Sequence, residues 1–443
     1  MTCPVCGESS FAPFLAVRGR TAARCQGCGC VALCAEGPPV PANADSRGIE
    51  QVMAARYLAA LMRRGFRTGS LLVAAGAGQR TMAAALLHRA QASGLNVQLQ
   101  DLSAPAAYDA AILLHLLQTQ TAPGELLESL HTALRPGAPL LIAFPGPGMD
   151  WPEDRWRLDE TTIQLLLLRH GFREVLVRRQ RPFASGRMVT AMRASPAVRP
   201  KCSIIVAAFN ERRTFPVLME ALLRKEIPGV DREILVIESH STDGTRELAL
   251  GYQAHPEVKV ILQDRPRGKG HAVREGLRHA TGDIVLIQDA DLEYDLNDYD
   301  ALLAPILGHR ALFVLGTRHG GAWKMRRFAR QKTLAATLNF GHAFFTGLIN
   351  VLYRQNMTDP FTMFKVFRRD CLFGLEFQCN RFDFDHELVI KFVRKGYRPL
   401  EIPVNYSSRS FREGKKVRLF RDPLTWLWVD LKLRVTRVIS REY

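Results

Sequence analysis

The sequence predicts an α/β protein that contains two open, mostly parallel sheets and a small cysteine-rich segment at its start. Short apolar runs alternate with helical patterns in both halves of the chain, and two CxxC pairs lie within the first 28 residues. Alternating strands and helices are typical of parallel sheets, which bind ligands at the carboxyl ends of their strands. A chain of 443 residues is also long enough for two or three domains.

The overall charge indicates an anionic partner. The chain has a formal net charge of +17 and a pI near 9.8, which is typical of proteins that contact phosphorylated substrates, anionic lipids or nucleic acid. No nucleic-acid recognition motif occurs, so we expect no nucleic-acid partner. The opening residues MTCPVCGESS lack the pattern of a secretory signal. The weakly polar run 333–353 contains Asn339, His342 and Asn350, which argues against a membrane-spanning helix.

The first 40 residues predict a zinc ribbon. Two CxxC pairs are formed there by Cys3, Cys6, Cys25 and Cys28. Four thiolates spaced in this way suit tetrahedral zinc, and a site with four protein ligands leaves no position open for chemistry. Disulfides are the weaker alternative because no secretory signal is seen, and free thiols are the other alternative. We therefore expect structural Zn²⁺ in a domain over 1–40.

The segment 48–195 predicts an open sheet of its own. Its strands are expected at 70–78, 95–101, 109–117 and 139–146. The stretches LLVAAGAGQ, LRPGAPLLIAFPG and HGFREVLVRR resemble motifs of class I S-adenosylmethionine-dependent methyltransferases. The resemblance implies a Rossmann domain that in related proteins often follows a zinc ribbon.

This segment departs from the methyltransferase pattern where the cofactor would bind. The family has an acid in its first strand and then Gly-x-Gly-x-Gly, whereas this chain has Leu72 and Ala74 and keeps only Gly76 and Gly78. Asp101 stands near the place of the ribose-binding acid, after an unusually short connection. We therefore expect a degenerate domain that does not use S-adenosylmethionine, with an active methyltransferase as the alternative.

The segment 200–420 predicts a second parallel sheet with polar groups at its strand ends. The run SIIVAAFNE ends in Asn210 and Glu211, REILVIE ends in Glu238, and DIVLIQDAD ends in Asp289 and Asp291. Parallel strands bring these ends to one edge. Carboxylates one residue apart suit Mg²⁺ or Mn²⁺, whose remaining ligands come from water and substrate phosphates. A solvated acidic turn is the alternative for an isolated D-x-D.

Seven motifs in order make the second half resemble family 2 glycosyltransferases of the GT-A fold, near the dolichyl- and polyprenyl-phosphate sugar transferases. They are AAFNE, ESHSTDGT, RGKGHAVREG, QDADL, TDPFTMFKVFRR, FDFDHEL and RSFREGKKV. The resemblance implies a metal-dependent hexosyltransferase that inverts the anomeric centre. Two departures concern the family's Asp-Asp-Gly, which is Glu238-Ser239-His240 here, and the glycine of G-F-K, which is Met363.

The resemblance also implies roles for single residues. The implied donor-binding residues are Ala207, Asn210, Glu211, Glu238, Lys269, Asp289, Arg409, Lys415 and Lys416. Asp289 and Asp291 are implied to hold the metal on the donor diphosphate, and Arg318 to reach a phosphate or the acceptor. Asp359 stands where relatives keep an acid near the reacting sugar. It is the candidate base for a hydroxyl acceptor, with a helix N-cap or a turn residue before Pro360 as the alternative.

A basic stretch and the chain's end predict contact with a membrane surface. The run WKMRRFARQK, 323–332, places Trp323 among cations, of which Arg326, Arg327 and Arg330 are candidate acceptor or membrane contacts. It directly precedes the weakly polar run, a pattern that favours an amphipathic helix lying in the interface. A solvated basic helix is the alternative. The tail over 421–443 fits either an interfacial helix or a strand.

Together these observations predict a transferase that moves a sugar from a UDP- or GDP-sugar to a polyprenyl phosphate or another lipid-linked or glycan acceptor. We expect it on the cytoplasmic face of the cell membrane as a peripheral protein, and an oligomer is compatible with the sequence. The alternatives are a bifunctional enzyme that also methylates, and a non-catalytic scaffold in which Glu238-Ser239 marks an inactive donor site.

Overall fold

The computed structural model divides the chain into two compact units, Met1–Val198 and Arg199–Tyr443. The residues it describes are 3, 9–17, 20–26, 30–33, 47–75, 79–99, 107–144, 156–179, 187–194, 199–318, 332–408, 421–436 and 438. Both units are mixed α/β, as the sequence predicts.

The first unit contains ten strands and four α-helices within its described residues. In chain order they are β1 (Phe11–Val17), β2 (Arg20–Cys25), β3 (Val31–Leu33), α1 (Arg47–Arg63), β4 (Ser70–Ala75), α2 (Arg80–Ala92), β5 (Asn96–Leu99), β6 (Ala110–Leu114), α3 (Pro123–Ala133), β7 (Pro139–Phe144), β8 (Trp156–Arg157), α4 (Glu160–Arg169), β9 (Phe172–Arg179) and β10 (Arg187–Arg193).

A six-stranded sheet forms the core of this unit, in the order β5-β4-β6-β7-β10-β9. The first four strands are parallel, and β10 runs antiparallel to both of its neighbours. All four predicted strands are present, and β6 and β7 are buried along their whole length, as expected when helices cover both faces. Leu72, at the position of the family's acid, is fully buried. Gly76, Gly78 and Asp101 lie outside the described residues.

The cysteine-rich segment belongs to a small antiparallel sheet, β1-β2-β3-β8. Its last strand comes from the segment predicted as methyltransferase-like, so the β3–β8 pairing joins the two predicted N-terminal domains. Cys3 and Cys25, two of the predicted zinc ligands, are buried, and Cys30, which the spacing did not single out, is buried with them. A hydrogen bond with the Cys3 side chain and burial raise the pKa of the Cys30 thiol.

The zinc prediction is only partly covered by the structure. Cys6 and Cys28 lie outside the described residues. Within the described part of the chain, no three His, Cys, Asp or Glu side chains are grouped as a metal site would require. The structural zinc therefore stays a prediction.

The second unit contains seven strands and seven α-helices within its described residues. They are β11 (Lys201–Ala208), α5 (Phe215–Arg224), β12 (Asp231–Glu238), α6 (Thr245–Gly251), β13 (Val258–Leu262), α7 (Lys269–His279), β14 (Ile284–Asp289), α8 (Tyr299–Leu307), β15 (Phe313–Thr317), α9 (Lys332–Tyr353), β16 (Lys365–Arg368), α10 (Asp383–Lys395), β17 (Leu400–Pro403) and α11 (Arg421–Val435).

These seven strands form one sheet in the order β13-β12-β11-β14-β16-β15-β17. Only β16 runs against the others, which confirms a mostly parallel sheet. Ala207 pairs with Asp289, and Ala208 pairs with Glu238. The register therefore aligns three of the predicted site residues at the carboxyl edge.

Helix α11, which follows β17, resolves the choice between helix and strand that the sequence left open for the tail. The tail forms a helix, α11, rather than a strand. Within the described residues, no helix has both the length and the apolar character needed to span a bilayer.

Helix α7 approaches the sheet closely because of one glycine. A Cβ at Gly276 would lie 2.4 Å from Ile205 Cγ2 on β11, a distance at which one of the two groups has to move. Gly251, in α6, has no neighbour within 4 Å of the corresponding position. Substitutions at these two glycines therefore distinguish the effect of close packing from the effect of helix propensity.

We expect Gly276→Ala to lower the free energy of unfolding by about 1–3 kcal/mol, because an added methyl overpacks the helix–sheet contact. Gly251→Ala should be neutral or stabilising by up to about 1 kcal/mol, because alanine favours the helix and nothing is displaced. Urea unfolding of both variants tests the contrast. Equal effects would show that α7 is not fixed by close packing at Gly276.

Candidate active site

The carboxyl end of β14 places a carboxylate against a lysine. Lys269 Nζ, from the first turn of α7, lies 2.7 Å from Asp289 Oδ2. Burial by itself lowers the pKa of Lys269, but the negative charges of Asp289 and Asp385 raise it above its usual value. A protonated lysine thus balances the negative charge of Asp289.

The second carboxylate of the predicted pair is also half-buried. Asp291 Oδ1 accepts a hydrogen bond from the backbone N–H of Glu293, with an N···O distance of 3.2 Å. Its place two residues after Asp289 matches the predicted metal pair. Two carboxylates suit Mg²⁺ or Mn²⁺, because such ions usually take their other ligands from substrate phosphates and water.

The loops after β11 and β12 are joined by hydrogen bonds. The backbone N–H of Asn210 donates to Ser241 Oγ, and Asn210 Oδ1 accepts from the N–H of Thr242, both at 2.9 Å. The N–H of Glu211 donates to Thr245 Oγ1 at 2.9 Å. These bonds fix Asn210 and Glu211, both predicted to border the nucleotide, at the edge that carries Asp289.

Glu238 is fully buried and closes its own turn. Its carboxylate accepts hydrogen bonds from the backbone N–H groups of Ser241, at 2.6 Å, and His240, at 3.2 Å, and Arg246 lies 3.4 Å away. His240 has φ = +60°, a conformation that glycine adopts most readily. The turn therefore keeps a left-handed residue where the family has glycine. The predicted contact of Glu238 with base or ribose stays a prediction.

A buried ion cluster joins Asp359 to Arg318, the residue that directly follows β15. The Nε and Nη2 atoms of Arg318 each lie 2.7 Å from a carboxylate oxygen of Asp359, in a bidentate pair. His342 Nε2, from α9, lies 3.0 Å from Asp359 Oδ1. Asp359 and Arg318 were predicted as separate site residues, and the structure brings them into direct contact.

This cluster determines whether Asp359 can act as the general base that was predicted for a hydroxyl acceptor. Burial by itself raises the pKa of Asp359, but the charge and hydrogen bonds of Arg318, together with His342, hold that pKa well below its usual value. Asp359 is also fully buried. An inaccessible carboxylate with a lowered pKa is a poor proton acceptor, so the geometry favours a positioning role and gives Arg318 a fixed orientation.

Sequence reasoning assigned no role to the pair that lies between these two clusters. Lys365 Nζ, fully buried at the start of β16, lies 2.8 Å from Asp385 Oδ1 in α10. Burial lowers the pKa of Lys365, and the charge of Asp385 acts against that effect. The charges of Lys269 and Asp359 also act on Lys365, so the pair connects both clusters. The motifs FDFDHEL and FKVFRR contain these residues, which was the available signal.

The acids that follow Asp291 anchor a distant part of the chain. Tyr406 Oη donates to Glu293 Oε2 at 2.7 Å, and the N–H of Asn405 donates to Asp298 Oδ2 at 2.7 Å. Arg318 lies over the Tyr406 ring, 5.2 Å from its centre. The acidic stretch therefore positions the segment that leads to 409–416 beside the predicted reaction site.

Seven predicted site residues of the second unit lie outside the described part of the chain: Trp323, Arg326, Arg327, Arg330, Arg409, Lys415 and Lys416. Their roles stay predictions.

Comparison with known proteins agrees with the motifs. Residues 203–373 match the family "Glycosyl transferase family 2", so the chain contains a family 2 glycosyltransferase domain. Dolichol-phosphate mannosyltransferase from Pyrococcus furiosus is 26% identical over 215 residues, which cover 48% of this chain and 59% of that protein. Dolichyl-phosphate beta-glucosyltransferase from Trichomonas vaginalis is 28% identical over 221 residues, or 46% and 63%. The chain thus spans less than two thirds of these relatives.

Solved structures show a weaker likeness. Glucosyl-3-phosphoglycerate synthase from Mycobacterium tuberculosis, in complex with Mn²⁺, UDP and phosphoglyceric acid, has a TM-score of 0.38 at 20% identity, over 54% of this chain and 80% of that one. A mannosyltransferase from Pyrobaculum calidifontis, in complex with GDP-Man and Mn²⁺, has a TM-score of 0.32 at 23% identity, over 47% and 56%. Similarity at this level does not by itself assign a fold.

Proposed function

We propose that the chain is a metal-dependent, inverting glycosyltransferase with a GT-A fold, which moves a sugar from a UDP- or GDP-sugar to a polyprenyl phosphate. The observation that carries this proposal is the carboxyl edge of the second sheet. There Asp289, Asp291 and Lys269 lie within a family 2 glycosyltransferase domain. The names of the curated relatives support a lipid-phosphate acceptor.

In this mechanism Asp289 and Asp291 would hold Mg²⁺ or Mn²⁺ beside the donor diphosphate. When bound there, such an ion would supply positive charge to the departing nucleoside diphosphate. Lys269, which already lies on Asp289, adds a second positive charge near the same phosphates. The joined loops of Asn210 and Glu211 border the nucleotide.

Arg318 serves the acceptor in this proposal. A phosphate acceptor is anionic before it reacts, so the site has to orient it and needs no strong base. The bidentate pair with Asp359 fixes the guanidinium plane, and a fixed cation at the strand end suits a phosphate. This use of Asp359 agrees with its burial, whereas a base for a hydroxyl acceptor requires access to the proton.

Transfer of radiolabelled sugar tests this proposal. UDP- and GDP-sugars with Mn²⁺ should label polyprenyl phosphate, and EDTA should stop the reaction. Labelling of a free polyprenol or a glycan, with no labelling of polyprenyl phosphate, would show that the acceptor is not a lipid phosphate. The proposed donor site would be unaffected by that result. No labelling with any donor would favour the non-catalytic scaffold.

For the first unit we propose a degenerate methyltransferase-like domain with a structural zinc. The parallel β5-β4-β6-β7 arrangement, the buried Leu72 and the buried thiols of Cys3 and Cys25 support this assignment. Metal analysis of the purified chain should find about one zinc per molecule, and calorimetry with S-adenosylmethionine should give no binding heat.

A further inference from the structure

The second unit exposes an unusual apolar surface on two neighbouring helices. Among its described residues, the large hydrophobic side chains exposed on α9 and α11 are Phe340, Phe344, Val351, Leu424, Trp428, Leu431 and Val435. On α11 they recur at spacings of four, three and four residues, which places them on one stripe. The three on α9 follow the same repeat, with Gly347 at the remaining position. Surface helices normally carry polar residues on such a stripe.

The two helices contact each other and run in the same direction. The Phe345 and Trp426 rings lie 5.4 Å apart, and Tyr353 Oη donates to the backbone oxygen of Asp430 at 2.6 Å. Tyr353 follows Phe345 along α9, and Asp430, its partner, follows Trp426 along α11. The beginnings of both helices therefore lie at the same end of the pair.

The exposed charges on α9 and α11 and at their ends have one sign among the described residues. Helix α9 contains no acidic residue, and both acids of α11, Asp422 and Asp430, are buried. The described cations Arg354 and Arg434, at the far ends of α9 and α11, are exposed. In the sequence, the runs WKMRRFARQK and REGKKVRLFR lead directly into the two helices. Apolar stripes with basic flanks are typical of helices that lie on anionic bilayers.

The opposite side of α9 reaches the candidate active site. His342, on the buried side of this helix, lies 3.0 Å from Asp359. A helix is about 10 Å in diameter with its side chains, so the exposed stripe lies one helix away from the Arg318–Asp359 pair. A bilayer against the stripe would bring lipid headgroups close to the predicted acceptor site.

We propose that the exposed face of α9 and α11 docks the chain on an anionic bilayer, with Phe344 and Trp428 inserted below the headgroups. The relevance of this docking to catalysis rests on the proposed lipid-phosphate acceptor, whereas the docking itself is independent of sugar transfer. Neither helix crosses the membrane, and the surface acts as one amphipathic plate.

Vesicle co-sedimentation tests the docking. Phe344→Glu/Trp428→Glu should lower partition onto vesicles of phosphatidylcholine with phosphatidylglycerol by at least about tenfold. The double variant loses the two aromatic side chains that insert into the bilayer and gains two negative charges. Val217→Glu is the matched control, because Val217 is an exposed apolar residue on α5 of the same unit. It should bind as the unchanged chain does. If the double variant has a lowered melting temperature, Val351→Glu alone should still reduce binding.

Two outcomes would overturn the docking proposal. One is equal vesicle binding by the double variant and the Val217→Glu control. The other is a wild-type dimer in sedimentation velocity that the double variant converts to monomer without a change in vesicle binding, which would make the face a self-association surface. Asp291→Ala should bind vesicles normally while losing transfer, so failure of the docking and failure of the transferase are separate results.

Discussion

Replacing Asp291 by alanine is expected to lower the turnover number for sugar transfer by at least about 100-fold, because the ion that stabilises the leaving diphosphate loses a ligand. Asp291 is a sharper choice than Asp289. Removal of Asp289 also leaves the ammonium of Lys269, 2.7 Å from it, without its counter-charge, so that activity and stability fall together.

Asp300→Asn is the control for this variant. Asp300 is an exposed acid on α8 that pairs with Lys225, and its loss should leave turnover within about twofold of the unchanged chain, because exposed ion pairs contribute little. The melting temperature of Asp291→Ala should match that of this control. If Asp291→Ala folds normally and keeps full activity, Asp289 and Asp291 do not hold a catalytic metal ion.

Asp359→Asn is expected to reduce the free energy of unfolding by about 3–5 kcal/mol, because it leaves the buried guanidinium of Arg318 without its counter-charge. The side chain of Asp359 is fully buried, and that of Arg318 is 8% exposed. Urea unfolding followed by circular dichroism measures the loss. A change below about 1 kcal/mol would mean that water or another group already satisfies Arg318.

A double-variant cycle separates the pair from its surroundings. Arg318→Met combined with Asp359→Asn should cost less than the sum of the two single variants, by about 1–3 kcal/mol, because no buried charge is left alone. Additive losses would show that the two side chains do not stabilise each other.

The same pair predicts how stability depends on pH. The folded pKa of Asp359 lies well below its usual value, so its contribution is present above the unfolded pKa, about 3.9. It is lost as pH falls through the folded pKa. The difference in unfolding free energy between the unchanged chain and Asp359→Asn should therefore shrink below about pH 4. A difference that grows in acid would reverse the assignment.

Strand ends were predictable from the sequence because parallel strands deliver their polar termini to one edge. Asn210, Glu211, Glu238 and Asp289 were predicted from apolar runs that end in polar residues. The register places Glu238 and Asp289 beside the end of β11, and loop hydrogen bonds hold Asn210 and Glu211 at the same edge. The side-chain partners were not predictable in the same way. The Arg318–Asp359 contact joins residues 41 positions apart, and no local pattern indicates that distance.

The same limitation explains why Lys365 and Asp385 were not predicted as site residues. Lys365 and Asp385 occupy positions in β16 and α10 that read as an interrupted apolar strand and an amphipathic helix. Their ion pair forms only because the antiparallel β16 inserts beside β14. The contact between the Cys30 and Cys3 side chains was not predicted for a different reason, because CxxC spacing directs attention to Cys28 rather than to Cys30.

The most direct test of the central claim is calorimetric titration of UDP and GDP into the chain, with and without Mn²⁺. One of them should bind with a Kd that Mn²⁺ lowers by at least about tenfold, and Asp291→Ala should abolish this gain. Binding that is equal with and without Mn²⁺, or an Mn²⁺ effect that is unchanged in Asp291→Ala, would contradict a metal-held diphosphate at the end of β14.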